Sequence, residues 1–259
     1  MSEDLLVRID NGIAEITLNR PAQRNALTFS MYERIREFCE RTVGDSSLRA
    51  IIVTGAGEKA FAAGTDISEF HAVKTGADGL AYEGKIERVL TAFEALPIPT
   101  IAAISGACTG GGAAIAACCD LRIGTASTKF GFPIARTLGN CLSAANYARL
   151  ASLIGVARVK DLIFTARLME APEAQSLGLL NEIVDDHAAL MRRAHEIAAT
   201  VAAHAPITLR VTKEALRRVA NAQAAPNDDD LIALAYGSDD FREGVASFLG
   251  KRPPKWTGR

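Results

Sequence analysis

Apolar and polar residues alternate at the start of the chain, where Leu5-Leu6-Val7-Arg8-Ile9 and Ile13-Ala14-Glu15-Ile16-Thr17-Leu18 flank Asn11-Gly12. Asn-Gly between two strand-like runs favours a type I′ turn, so the pattern predicts an opening β-hairpin. Over residues 28–42 the period changes, with Met31, Ile35, Phe38 and Cys39 recurring at helical spacing among charges. Residues 48–54 then read as a strand. Residues 79–96 repeat the helical pattern through Ile86, Leu90 and Phe93. Pro97 and Pro99 end that helix, and residues 101–104 read as a buried strand. Two short strands are predicted at Leu121-Arg122-Ile123 and Lys129-Phe130-Gly131-Phe132. Strands alternating with helices imply βαβ units and a sheet covered by helices.

The second half is different. Residues 147–165, 171–177, 187–204, 207–220 and 231–249 carry helical patterns, with one strand predicted at 180–184. This order predicts an α/β core over residues 1–200, followed by a helical region, 201–259, that packs on the core or on a neighbouring subunit. Residues 223–230, with Pro226-Asn227-Asp228, are expected to form a flexible loop running into a helix start. No internal sequence repeat is visible.

Composition narrows the function. With 259 residues, 49% hydrophobic and 23% charged, the chain has ordinary globular usage and can bury a large core. Its net charge of −1, without blocks of like charge, gives no electrostatic case for nucleic acid or an anionic membrane. Any phosphate must be held locally. The cysteines Cys39, Cys108, Cys118, Cys119 and Cys141 are odd in number, lack a C-x-x-C pair and read as reduced thiols. The acidic start, Met-Ser-Glu-Asp, has no apolar stretch after it, so a cytoplasmic protein is expected. Residues 95–119 carry no charge and are long enough to span a bilayer. Pro97, Pro99, Ser105, Thr109 and Gly110-Gly111-Gly112 would interrupt such a helix repeatedly, which favours a buried strand, a glycine turn and a buried helix.

Two glycine segments are candidates for chemistry. In Lys59-Ala60-Phe61-Ala62-Ala63-Gly64-Thr65-Asp66, Gly64 permits a tight bend and Asp66 can cap a helix starting at Ile67. In the segment from Ser105 to Ala114, a strand end turns through Gly110-Gly111-Gly112 into an Ala-rich helix. Amide groups at a helix N-terminus lack intrahelical partners and gain positive potential from the dipole, so this turn can hold an anion. It can equally be a glycine turn that lets strand and helix pack closely. There is no G-x-G-x-x-G before a helix, no Walker lysine, no G-x-S-x-G and no H-E-x-x-H, so dinucleotide, triphosphate, serine-hydrolase and zincin readings lose their anchors. His71, His187, His195 and His204 suggest no metal cluster, and no metal is expected.

These two segments occur with Leu18-Asn19-Arg20-Pro21, Asn25-Ala26-Leu27, the stretch 171–181 and Asp240-Phe241-Arg242-Glu243-Gly244 followed by Phe248, Lys251 and Arg252. In order and spacing, over nearly the whole chain, they resemble the crotonase (enoyl-CoA hydratase/isomerase) superfamily. The resemblance implies an α/β, crotonase-like (ClpP/crotonase) fold of repeated ββα units with a helical C-terminal trimerisation region. It implies homotrimers, commonly paired into hexamers, and an acyl-CoA thioester as substrate, with coenzyme A entering only as part of that substrate and no tightly bound cofactor. The backbone amides that hold the thioester oxygen map to Thr65 and Gly111. Coenzyme A contacts map to Arg24, Ala26, Ala62, Ala63 and Asp66, with Phe248 and Lys251 from a neighbouring chain. As isolated residues, Arg24 and Lys251 would read equally well as surface cations, and Asp66 as a cap.

The chain departs from the family where its hydratases carry two glutamates. Those positions are Ala114 and, after Phe130-Gly131-Phe132-Pro133, Ile134. Neither side chain can exchange a proton, so ordinary hydration by the familial route is not expected and a different enolate reaction is favoured. The following segment, 135–143, holds one extra residue and should line the acyl pocket. There Arg136 can bind a carboxylate, Asn140 can orient a carbonyl or water, and Cys141 can act as acid or base if its pKa is lowered. Their bland counterparts are a surface cation, a cap and a small buried thiol. Glu69, His71, Glu83 and Glu87 are further candidates that the sequence does not place. A non-catalytic acyl-CoA-binding homologue is the alternative reading.

Overall fold

Two sheets organise the computed structural model, which describes residues 3–222 and 229–257. The larger contains β1 (Leu5–Asp10), β2 (Ile13–Leu18), β3 (Ala50–Gly55), β5 (Thr100–Ile104), β7 (Leu121–Thr125) and β10 (Glu182–Val184), hydrogen-bonded in that order. Only β1 and β2 pair antiparallel; the other neighbours are parallel. Their connection is the expected two-residue turn, with Asn11 at φ 48° and Gly12 at φ 76°. β2 alternates, burying Ala14, Ile16 and Leu18 beneath one face, whereas β3 and β5 are buried throughout, as central parallel strands covered on both faces must be.

The smaller sheet runs β4 (Ala60–Ala62), β6 (Ala107–Thr109), β8 (Lys129–Gly131) and β9 (Met169–Glu170). Three times the chain lays one strand in the large sheet, the next in the small sheet, and then turns into a helix: β3-β4-α2 (Gly76–Glu94), β5-β6-α3 (Gly111–Cys118) and β7-β8-α4 (Ile134–Thr137). The ββα repeat is therefore structural although the sequence shows none. With three residues or fewer, β4, β6 and β9 are too short to carry a periodic signal, and β4, β6 and β9 were not predicted as strands.

α1 (Phe29–Thr42) precedes the repeats, capped by the Thr28 hydroxyl. α5 (Ala144–Ile154) and α6 (Val156–Thr165) replace the single helix expected over 147–165, because Gly155 between them takes φ 78°. α7 (Ala171–Ser176) leads to β10, and α8 (His187–Ala202) covers the outer face of the large sheet. Leu190, Ala194 and Ala198 of α8 meet Ile52, Ile101, Ala103 and Ile123, small residues allowing close approach. α2 begins a turn before the predicted start because Thr75 and Asp78 form a reciprocal capping box.

The remaining helices are α9 (Pro206–Ala222), α10 (Asp229–Gly237) and α11 (Asp239–Leu249). Where one helix was expected over 231–249 there are two, since the Ser238 hydroxyl accepts from Phe241 N and starts α11 afresh. Of the loop expected over 223–230, residues 223–228, including Pro226-Asn227-Asp228, lie outside the described residues, and Asp229 and Asp230 already belong to α10. α10 lies against α2 of its own chain so closely that a Cβ on Gly79 would come 2.2 Å from the Tyr236 Cβ. Among the described residues no helix is long and apolar enough to cross a membrane, and the stretch 95–119 is β5, β6 and α3 as the interruptions require.

Candidate active site

β4 and β6 are parallel neighbours, so both release the chain at the same edge of the small sheet, the edge at which α/β sheets gather ligands. β4 continues into Ala63-Gly64-Thr65, and after β6 Gly110 caps α3. Gly64 has φ 112° and Gly110 φ 52°, conformations that a side chain would strain. The two turns touch: a Cβ on Gly110 would lie 3.2 Å from Gly64 Cα, and one on Gly111 3.1 Å from Thr65 Oγ1. Among the described residues, neither the Thr65 nor the Gly111 N–H donates to a backbone or side-chain acceptor. Gly111 is the first residue of α3, where the amide has no intrahelical acceptor and the dipole adds positive potential.

The segments that the resemblance assigns to coenzyme A are stitched onto this edge. Ala63 N donates to Arg24 O (3.0 Å), Leu27 N to Gly64 O (2.8 Å) and Asp66 N to Leu27 O (2.8 Å). Buried Asn25 holds the turn by accepting from Arg20 N (3.0 Å) and donating to Ala60 O (2.7 Å). Arg20 reaches Ala26 O (2.7 Å) and Asp66 Oδ2 (2.8 Å). Asp66 caps the 3-10 turn Ile67–Ala72 through Ser68. Burial pushes its carboxyl up, but the bonds from Ser68 and Arg20 outweigh this and hold it below the ordinary aspartate range. Arg24, Ala26, Ala62, Ala63 and Asp66 thus form one rim beside Thr65. The Arg24 side chain is exposed and has no ion pair among the described residues.

Beside the two turns lies a group of phenols that the sequence did not single out. Tyr32 of α1 and Tyr82 of α2 both hydrogen-bond Thr65 Oγ1, at 3.0 and 3.1 Å. The Tyr32 hydroxyl is so near the second amide that a Cβ on Gly111 would be 2.0 Å from it. On the next residue of α2, Glu83 is buried and accepts a 2.5 Å bond from the Tyr236 hydroxyl of α10, which in turn accepts from Asn140 Nδ2 at 3.1 Å. Burial first, and then the Glu83 charge, push the Tyr32, Tyr82 and Tyr236 phenols up. All three stay protonated donors. The Tyr82 ring meets Phe70 edge-on at 4.9 Å, and the Tyr236 ring packs tilted against Phe241 at 4.8 Å. A tyrosine at an apolar helical position is the one signal that marked them, because a buried phenol needs a partner.

The other candidates are placed as follows. Ala114 and Ile134 are buried and apolar, so no carboxylate stands at either position. Arg136 is exposed on α4 without an ion pair among the described residues, and hydrogen bonds do not join it to the Thr65 group. Cys141 is half-buried. Burial pushes the Cys39 and Cys119 thiols up to about 12, which leaves them inert. Glu87 is held by Arg149 at 2.5 Å, His71 is exposed, and Phe248 and Lys251 are exposed at the end of α11. Among the described residues no group of three or more His, Cys, Asp or Glu side chains is placed to hold a metal.

Stacked ββα units with a C-terminal helical part and two adjoining amides at the strand ends define a protein of the crotonase superfamily. The enoyl-CoA hydratase/isomerase family model matches residues 8–259. The short-chain-enoyl-CoA hydratase of Clostridium acetobutylicum is 32% identical over 252 residues, covering 96% of this chain and 95% of that protein. A crystal structure of an enoyl-CoA hydratase/carnithine racemase from Magnetospirillum magneticum is 32% identical, with TM-score 0.81, over 100% of this chain and 97% of the other. Methylmalonyl-CoA decarboxylase in complex with 2-nitronate-propionyl-CoA is 27% identical with TM-score 0.89, and the match spans 100% of both chains. The chain belongs to the enoyl-CoA hydratase/isomerase family.

Proposed function

We propose that the protein is an acyl-CoA enzyme that seats the thioester oxygen between the N–H groups of Thr65 and Gly111 and stabilises the enolate formed when a bond at the acyl α-carbon is broken. The observation that carries this reading is the pair of adjoining amides without protein acceptors, one of them at a helix N-terminus. Donors aimed at a developing oxyanion are each worth about 2.7–4 kcal/mol in other enzymes, enough to make them the largest single contribution. The Arg24-Ala26 and Ala62-Ala63-Asp66 rim is the proposed adenine-end contact, the exposed Arg24 guanidinium being suited to a phosphate.

Hydration by two glutamates has no support at Ala114 and Ile134. Isomerisation of a double bond, decarboxylation or C–C cleavage needs the same enolate without an activated water, and the decarboxylase among the similar structures fits that group. Self-association is part of the proposal: α9 exposes Ile207, Val211, Leu216 and Val219, each more than half exposed, apolar surface suited to a neighbouring subunit in a trimer. Phe248 and Lys251 would then reach a neighbour's coenzyme A.

Enoyl-, 3-enoyl-, β-keto- and dicarboxylyl-CoA thioesters, assayed together with direct binding, test the reading. Turnover of at least one of them, with crotonyl-CoA hydration slow or absent, is expected. Hydration of crotonyl-CoA at ordinary hydratase rates would overturn the reading of Ala114 and Ile134. Binding without any turnover would leave an acyl-CoA-binding protein instead.

A further inference from the structure

We propose that the Glu83 carboxylate is the proton-carrying group of this site, aimed by Tyr236 and Asn140, and that it does at the acyl α-carbon what the side chains of Ala114 and Ile134 cannot. The inference rests on the thioester-enolate reading given above.

Four placements support it. The ring of Tyr82, whose hydroxyl is 3.1 Å from Thr65 Oγ1, packs against the ring of Tyr236 at 5.8 Å, so the phenol that binds Glu83 adjoins the one that binds the first amide's own side chain. It is 5% exposed, in a setting walled by α2, α10 and the loop after α4, where a charge retains its strength. Its orientation is fixed from outside its own helix: the single proton of the Tyr236 hydroxyl goes to Glu83 Oε1 at 2.5 Å. That phenol must therefore accept from Asn140, which orients the amide with Nδ2 toward Tyr236 at 3.1 Å. The same orientation leaves Asn140 Oδ1 buried with no hydrogen bond from the protein. A buried carbonyl oxygen without a donor costs stability, and in the proposed site this oxygen is the acceptor left for a substrate N–H or O–H. Three separate elements thus converge on one carboxylate and present one open acceptor beside it.

The step balances without a further reagent. The α C–H bond breaks and its proton forms an O–H bond on Glu83. The C–H electron pair becomes the enolate double bond, and the carbonyl π pair moves onto the oxygen held by the Thr65 and Gly111 amides. Return of the proton to either end of the enolate system gives exchange or double-bond migration. Tyr236 and Asn140 are positioning residues, and Glu83 alone touches the reacting hydrogen.

The test is α-proton exchange in D2O, followed by NMR on acetyl-, butyryl-, 3-enoyl- and glutaryl-CoA, with acyl-CoA binding and thermal melting measured on each variant. Glu83→Gln keeps the shape and the bond from Tyr236. It is expected to lower exchange about 10²–10⁴-fold while binding changes less than about threefold. Glu83→Asp should recover part of the loss, and Tyr236→Phe should lower the exchange rate about tenfold while leaving the KM for the thioester near wild type. Exchange by Glu83→Gln at the wild-type rate would sink the assignment while leaving the enolate reading intact. A wild-type protein that binds these thioesters and exchanges none would take down both. If Glu83→Gln does not fold, equal exchange by Tyr236→Phe and wild type, in both rate and KM, overturns the proposal by itself.

Discussion

Replacing Gly111 by alanine separates the amide's catalytic role from the packing around it. The backbone at Gly111 is ordinary helix, so the substitution brings no conformational strain and its effect is steric. The added Cβ would stand 2.0 Å from Tyr32 Oη and 3.1 Å from Thr65 Oγ1. The Tyr32 hydroxyl ends a rigid ring that is 3% exposed in the core, so it cannot swing aside as a lysine tip would. Overpacking of this kind costs about 1–3 kcal/mol, or a few degrees of melting temperature for each kcal/mol in a chain of this size. On the proposed reading, forcing Tyr32 and Thr65 away from the new methyl group also shifts the Gly111 N–H from the thioester oxygen. Losing that donor predicts a rate reduction of about 10²–10³-fold, equivalent to about 2.7–4 kcal/mol. Adding Tyr32→Phe removes the atom at 2.0 Å and leaves the ring carbon Cζ at 3.3 Å, so the double variant should regain most of the lost stability without regaining turnover. Steady-state rates on whichever thioester is turned over, with melting curves of both variants, give the answer. Unchanged turnover in Gly111→Ala would remove this amide from the mechanism. Recovery of turnover along with stability in the double variant would mean that packing was the whole effect.

Two further predictions concern the frame. Asp120 Oδ2 accepts from Thr100 N at 2.7 Å, Thr100 Oγ1 at 2.9 Å and Lys213 Nζ at 2.7 Å, joining β5 to α9, so Asp120→Ala should cost about 1–3 kcal/mol in urea unfolding; a smaller loss would show the junction to be incidental. Arg252 grips Glu243 through both carboxylate oxygens, and these bonds hold Glu243 down to about 2 from its ordinary 4.5. A depressed carboxyl stabilises the fold above its unfolded value and loses that contribution as pH falls. Wild type should therefore melt above Glu243→Gln at pH 7, with the gap closing between pH 4.5 and about 2; a gap that stays constant across this range would refute the assignment.

What the sequence revealed and what it hid divide by distance along the chain. The hairpin turn at Asn11-Gly12 and the Asp66 cap are each written within a few residues, and each is present. The two glycine turns were also legible locally. Their meeting was legible only through family resemblance, because contact between Gly64 and Gly110 depends on β4 and β6 pairing, and strands of three residues leave no periodic trace. The split at Gly155 was written in the sequence but outweighed by unbroken helical spacing on either side.

The carboxylate at the site shows the same limit more sharply. Glu83 was one of four acidic or basic candidates, together with Glu69, His71 and Glu87, and nothing in its neighbours sets it apart. Its setting is made by Tyr236, 153 positions away, and by Asn140 on a third element. What brings them together is a packing fact of the glycine kind: α10 can lie on α2 only because Gly76 and Gly79 carry no side chains, since a Cβ at Gly76 would be 2.5 Å from Ala233 O. Two unremarked glycines in a helix, which ordinarily weaken it, are therefore the trace that the site left in the sequence. They mark the face of α2 on which a second helix must rest, and the acidic residue four positions after Gly79 is the one that this contact buries.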